Sequence, residues 1–225
     1  MKQEYFEKIG EQGQLIVVSG PIGTGKKTVI REYLKAHENA RVSISATTRD
    51  PYPGEEDGKD YWFVSHLEFE RMIRTRQMLE YSYVNNYAYG TPKKAVEDAR
   101  AKGHNVILDM DAVGAMRVRT LCPDATLIYI LPPSWEELQK RLKSTEKYDD
   151  ETIQKLMRIA EEDIACANLY DYVLVNESVE KSVERLAQII HGNRYSRTSM
   201  KGFLDSYIEG EINPEIKEFT EALQE

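Results

Sequence analysis

The sequence predicts an α/β fold on a parallel, doubly wound sheet, and three observations carry that prediction. An apolar segment, Leu15-Ile16-Val17-Val18, runs into the glycine-rich stretch Gly20-Pro21-Ile22-Gly23-Thr24-Gly25-Lys26-Lys27-Thr28 and then into a helical pattern at 29–34. Short strand-type runs alternate with amphipathic helical segments along most of the chain, as in βα units. One run, Val106-Ile107-Leu108-Asp109, ends in an acid at its C-terminal tip. In such sheets the carboxyl ends of the strands are where ligands bind.

Residues 1–13 are polar and read as a lead-in to the first strand, at 14–19. A helix follows the glycine-rich loop and ends near 37–39. The alternating segment 41–46 reads as one strand. The turn-rich stretch 47–58, with Pro51, Pro53, Gly54 and Gly58, cannot hold regular structure for long. Tyr61-Trp62-Phe63-Val64 reads as a strand, and Ser65 with Glu68 as a capping box opening a helix to about 76. A further strand is expected at 79–84, so that 43–92 forms a small insertion on the first unit. Thr91 is expected to cap a helix with Pro92 at its first position and Gly103 just past its end. Strands follow at 106–109 and 125–130, the latter stopped by Pro132-Pro133. Ser134 and Glu137 form a second capping box for a helix at 135–142. A long helix is expected at 151–168, a last strand at 172–175 and a last core helix at 179–191. Beyond a linker-like stretch at 193–198, short helices are expected at 200–208 and from 213, the second with Ile216, Phe219 and Leu223 on one face.

The chain has 225 residues, room for one embellished α/β domain or two small ones. At 41% hydrophobic and 30% charged it has the composition of an ordinary soluble globular protein. The net charge of −8, with no basic stripe, argues against a nucleic-acid partner, so any polyanion must meet a local basic pocket. Cys122 and Cys166 match no metal or redox spacing and read as reduced thiols. No apolar signal region or membrane-length run is present, and the expected compartment is the cytoplasm.

Strand, glycine-rich loop and helix in that order form the context of a phosphate-binding loop, G-x-x-x-x-G-K-[ST]. Glycines let successive N–H groups turn inward, and the following helix presents its positive end to the same anion. Gly20 through Thr28 are thus candidate ATP-binding residues, with Lys26 reaching the β- and γ-phosphates. The last position of the pattern, whose hydroxyl ligates Mg²⁺, holds Lys27.

Further segments extend the pattern: Ser43-Ile44-Ser45-Ala46-Thr47-Thr48-Arg49, Gly54-Glu55, Asp57-Gly58-Lys59-Asp60-Tyr61, Leu79-Glu80, Tyr89-Gly90-Thr91, Ile107-Leu108-Asp109-Met110-Asp111 and Pro132-Pro133-Ser134. On these the chain, over about 14–191, resembles the guanylate kinases. The resemblance implies the P-loop nucleoside monophosphate kinase fold: a parallel five-stranded sheet flanked by helices, a small mixed α/β GMP-binding domain and a helical lid. It implies a core of 1–42, 93–137 and 159–192, a monophosphate-binding domain at 43–92, a lid at 138–158, and a C-terminal helical extension at 193–225. It implies ATP and GMP as partners and Mg²⁺ as cofactor. It puts Arg49, Tyr61 and Tyr89 on the acceptor phosphate, with Tyr52, Glu55 and Gly90 in the same GMP-binding set. Ser45, Glu80 and Thr91 fall on the guanine edge, and Asp109 near the base and the metal's water shell. Lys26, Arg49 and Asp109 are the expected catalytic residues. The chemistry agrees. A guanidinium fork and phenols suit a phosphate dianion, and a carboxylate suits guanine's N1–H and N2–H₂ donors.

Four positions depart from that pattern, and all concern phosphate charge. Lys27 replaces the loop hydroxyl, Tyr52 replaces a second acceptor-side arginine, and Thr145 and Leu156 stand where the lid normally has arginines. A charge-assisted phosphate contact contributes about 1.5–3 kcal/mol. An arginine on a transferring phosphoryl group contributes about 10³–10⁵ in rate. Lys147, Lys155 and Arg158 are the nearby cations available as substitutes. Three functions follow from the sequence: an ATP:GMP phosphotransferase with weakened activity, a non-catalytic nucleotide- or protein-binding module of the same fold, or a kinase with an altered donor, acceptor or metal requirement.

Overall fold

The computed structural model describes residues 12–84, 86–205, 207, 208, 210, 213, 214 and 216. β1 (Leu15–Ser19) leads through the glycine-rich loop into α1 (Lys26–Ala36), followed by β2 (Ala40–Val42). Shorter elements come next: β3 (Ala46–Thr47), β4 (Trp62–Phe63), α2 (His66–Arg74), β5 (Met78–Val84) and β6 (Tyr87–Pro92). Longer βα units resume with α3 (Lys93–Ala101), β7 (Asn105–Asp109), α4 (Ala112–Leu121) and β8 (Thr126–Leu131). Then α5 (Trp135–Ser144) and α6 (Asp150–Ala165) form a hairpin. A 3-10 turn, Cys166–Leu169, leads to β9 (Tyr172–Val175), α7 (Val179–Asn193) and α8 (Lys201–Asp205).

Five strands pair in parallel in the order β2-β7-β1-β8-β9. β1 is central and buried at every residue, which is why its sequence is apolar without alternation. Its side chains still divide by the period of two. Ile16 and Val18 face α1 and α7 through Val29, Tyr33, Leu186 and Ile190. Leu15 and Val17 face Val96 of α3 and Val118 of α4. Each fully buried aliphatic side chain contributes roughly 1.5–3 kcal/mol, so these two layers are the main source of stability. The other strands form a mixed sheet, β4-β3-β6-β5, with Phe69 of α2 buried against Ala46 and Ala88.

The structure revises the expected elements in five places. The segment 41–46 is two strands in two sheets: the Ser43 amide makes its hydrogen bond to Ile107 O at 2.9 Å, beside β7, and the chain then crosses to pair Ala46 with Trp62 and Gly90. Residues 87–92 form a strand not foreseen in the sequence, the antiparallel partner of β5, entered through Asn86 in the left-handed region. Thr91 does not cap α3. Pro92 occupies that position, and the Thr91 hydroxyl is turned to Glu80. α4 was also unforeseen; Asp111 caps it, its Oδ1 accepting from Gly114 N at 2.7 Å. The long helix ends at Ala165, and residues up to Leu169 form the 3-10 turn. Both capping boxes hold at their serines, with Ser65 and Ser134 accepting from the Glu68 and Glu137 amides. The helix expected at 200–208 is α8, whereas Phe219 and Leu223 of the expected apolar stripe lie outside the described residues.

Candidate active site

The loop takes its shape from glycine and from two side chains behind it. Gly25 precedes α1 with φ 87°, and a Cβ there would stand 2.4 Å from Asn176 Nδ2. Only glycine meets both constraints. Asn176, at the tip of β9, donates to Thr24 O at 2.7 Å and is fixed by the Ser182 hydroxyl, which donates to its Oδ1 at 2.8 Å. Arg141 of α5 donates to the same Thr24 carbonyl at 3.1 Å and to Asn176 O at 2.9 Å, while Glu137 holds its Nε at 2.9 Å. No side chain caps α1, so its first N–H groups remain available to an anion. Within the loop Pro21 is buried, Ile22 is exposed, and the Thr24 hydroxyl closes back on Pro21 O at 3.0 Å. Gly23 lies against Leu138 and Leu142 of α5, and Thr28 is half-buried on α1.

Lys26 Nζ donates to Gly20 O at 3.2 Å and lies 3.2 Å from Asp109 Oδ1. The contact follows from topology. β1 and β7 are neighbours with Val18 paired to Asp109, so the acid at the β7 tip stands beside the loop.

A cleft of about 300 Å³ runs from Lys26 and Lys27 across to the mixed sheet. Ser45, Tyr61, Glu80, Tyr89, Gly90 and Asp109 line it, together with Asp111 and Gly114 at the start of α4. Glu80 and Thr91 face each other across the β5–β6 pair, and the Thr91 hydroxyl donates to Glu80 Oε1 at 2.7 Å. Glu80 is only 7% exposed, and burial raises its carboxyl pKa above the ordinary value. Burial likewise raises the Tyr61 phenol, whose ring meets Tyr89 edge-on with centroids 6.1 Å apart.

At one corner Arg49, 7% exposed, grips Glu55 through both terminal nitrogens at 2.9 and 3.0 Å and donates to Asp50 O at 2.6 Å. The pairing lowers the Glu55 pKa, and Glu55 foremost raises that of the guanidinium. Tyr52 adds no cation. Its ring, 63% exposed, lies 3.9 Å from the Arg49 guanidinium centre, and its amide donates to Glu55 at 2.8 Å. A larger groove of about 780 Å³ between β5 and α4 shares Glu80 but is lined mostly by apolar side chains such as Leu79, Met116 and Leu121, which cannot hold phosphate.

Thr145 and Leu156 both have local tasks in the α5–α6 hairpin. Thr145 closes α5, its amide and hydroxyl bonding Leu142 O at 3.3 and 2.8 Å. Leu156 packs into the hairpin's own core with Leu138, Leu142 and Ile153. Arg158 lines a separate groove with Trp135 and Gln154, and Lys147 and Lys155 are exposed. Sequence reading gave no role to Arg141, Asn176 or Gly114. Asn176 carried a usable signal, a polar residue at a strand's carboxyl tip, the same signal that marked Asp109. A glycine in the first turn of a helix points to a close approach, and a Cβ at Gly114 would lie 3.5 Å from Glu80 Oε2.

A sequence model of the family described as guanylate kinase matches residues 12–193. A guanylate kinase of Caldanaerobacter subterraneus subsp. tengcongensis is 42% identical over 182 residues, 81% of this chain and 88% of that protein. One of Latilactobacillus sakei subsp. sakei is 44% identical over 184 residues, 81% of this chain and 90% of that protein. The crystal structure of guanylate kinase from Anaplasma phagocytophilum superposes with a TM-score of 0.69 at 31% identity, covering 89% of this chain and 98% of that one. The chain belongs to the guanylate kinase family.

Proposed function

We propose that the chain transfers the γ-phosphoryl group of ATP to GMP, giving ADP and GDP. The observation that carries this is the buried Glu80–Thr91 pair facing a cleft whose opposite wall is the phosphate loop. Ionised Glu80 accepts two hydrogen bonds from N1–H and N2–H₂ of guanine, and adenine offers no such pair of donors. Thr91 orients that carboxylate, and Ser45 lies on the same wall. Arg49, Tyr61 and Tyr89 hold the acceptor phosphate, and Gly90 lets Phe69 pack closely behind the β5–β6 pair that carries Glu80 and Thr91. The mixed sheet is thus the GMP-binding domain, the α5–α6 hairpin the lid and the parallel sheet the core, with residues beyond 192 as an extension.

The loop amides and Lys26 hold the donor phosphates, and Asp109 keeps Lys26 in place until they arrive. Phosphoryl transfer needs position and charge stabilisation more than covalent chemistry from the protein, and the GMP phosphate oxygen attacks in line. Mg²⁺ takes oxygen ligands and is usually held by one or two carboxylates plus substrate phosphates. Asp109 and Asp111 fit that role and would hold it from the β7 side, whereas the loop offers Lys27 where a hydroxyl would stand. Bound there, the ion supplies charge neutralisation on the transferring group. No described helix is long and apolar enough to cross a membrane. The cytoplasm is the proposed compartment, in keeping with the free thiols of Cys122 and Cys166.

The test is a coupled assay of ADP formation with GMP, AMP, CMP and UMP as acceptors. ADP formation dependent on GMP, and abolished by Lys26→Ala, is the expected result. No turnover with any pair, alongside GMP binding by calorimetry, would leave a binding module instead.

A further inference from the structure

Lys27 is the one departure in the loop with no task of its own in the fold. Consecutive residues of an α-helix point about 100° apart, so Lys26 and Lys27 cannot serve the same spot. Lys26 turns to Gly20 O and Asp109. Lys27 has no such partner among the described residues, and it lines the same cleft, with Ser45, Tyr61 and Tyr89 among its walls. Among the described residues it makes no ion pair within 4.0 Å. Its charge nevertheless reaches the Arg49 corner, since it is one of the groups that lower the Glu55 carboxyl.

That corner is short of positive charge. A phosphate monoester carries close to two negative charges near neutrality. Arg49 is already engaged by Glu55 and Asp50 O, and Tyr52 covers its face with a ring. Lys26 is engaged by Asp109 and Gly20 O, so Lys27, lining the cleft with no ion pair among the described residues, is the cation still available to an incoming phosphate. We propose that Lys27 is the second cation of the acceptor site, pairing with the monophosphate dianion that Arg49, Tyr61 and Tyr89 hold. Two successive residues of one helix then grip the two reacting nucleotides, Lys26 the donor and Lys27 the acceptor. This inference rests on the assignment of the cleft to GMP.

The experiment is calorimetric binding of GMP, guanosine and ADP to the wild-type chain and to Lys27→Ser and Lys27→Arg. With Lys27→Ser, GMP affinity should fall on the order of tenfold to a hundredfold, as for loss of a charge-assisted contact. Guanosine, which lacks the phosphate, and ADP should be unaffected, and Lys27→Arg should keep most of the GMP affinity. In steady state, KM for GMP should rise while KM for ATP holds. Equal losses for GMP and guanosine would overturn the proposal in favour of a structural role, and a loss for ADP alone would assign Lys27 to the donor. If the wild-type chain binds neither GMP nor guanosine, the assignment of the cleft itself fails.

Discussion

The mixed sheet and the α5–α6 hairpin both border the glycine-rich loop, yet they carry charge in opposite ways. In and beside the mixed sheet the polar groups are shielded and paired: Arg49 on Glu55, Glu80 on Thr91. In the hairpin the cations Lys147, Lys155 and Arg158 stand exposed, and Thr145 and Leu156 serve as a helix cap and a core residue. A buried, paired group has one geometry and can discriminate between ligands. An exposed lysine has many geometries and supplies charge without direction. With the mixed sheet as the proposed acceptor site and the hairpin as the proposed lid, the contrast predicts an acceptor site more selective than the lid is catalytic, and five substitutions would break or sharpen it.

The largest effect is expected from Lys26→Ala, which removes the donor-side cation. A fall in kcat on the order of 10³-fold is expected with GMP affinity retained, read by steady-state kinetics beside calorimetry. Next is Glu80→Gln. GMP affinity should drop about tenfold to a hundredfold, because the amide presents donors to guanine's donors. Stability should move the other way. Burial raises the Glu80 pKa, so its stabilising contribution is complete below the ordinary carboxylate range and lost as pH rises through the raised value. The Gln variant should therefore melt with the wild type in acid and at or above it near neutrality. By the same linkage, wild-type GMP affinity should weaken as pH falls through the raised Glu80 pKa. A flat profile would show that this carboxylate does not read the base.

Asn176→Ala tests how far the loop depends on its support. It strands the Ser182 hydroxyl and removes one of two donors to Thr24 O, for a loss of about 1–3 kcal/mol in denaturant unfolding. The smallest effect concerns the lid. Thr145→Arg should raise kcat, roughly tenfold, at little cost in stability, since it sacrifices only a cap. Leu156→Arg should lower the melting temperature instead, because it puts a charge into the hairpin core. If both variants were equally stable and equally faster, the packing account of Leu156 would be wrong.

Much of the fold was legible because the parallel strands are buried on both faces and announce themselves as apolar runs. The mixed sheet was less so. β3 and β4 are two residues each, and β6 reads Tyr-Ala-Tyr-Gly-Thr-Pro, too rich in small and turn-forming residues to signal a strand. α4 escaped notice because Ala112, Val113, Ala115, Met116, Val118 and Leu121 are apolar without marking a single face. That Lys26, Ser45, Tyr61, Glu80, Tyr89 and Asp109 would share one cleft could be read from ordered motifs, although they come from a helix, three strands and the turns between them. Pairing could not. That Thr91 serves Glu80 rather than a helix, and that Arg49 is held by Glu55, depends on hairpin register and on a turn whose path no local pattern fixes.

The Arg49–Glu55 pair has a consequence for how the cleft fills. Glu55 is tethered six residues from the guanidinium and already engages both of its terminal nitrogens, as a phosphate would. A tether of that length corresponds to an effective concentration of about millimolar or more. Entry of an anion is therefore an exchange rather than an addition, and free phosphate or sulfate must compete with a carboxylate that never diffuses away. A phosphate delivered on a base already seated against Glu80 is tethered in its turn and competes on equal terms. On the proposed assignment of the cleft to GMP, the corner would act as a filter on loose anions, opening to those that arrive attached to the right base.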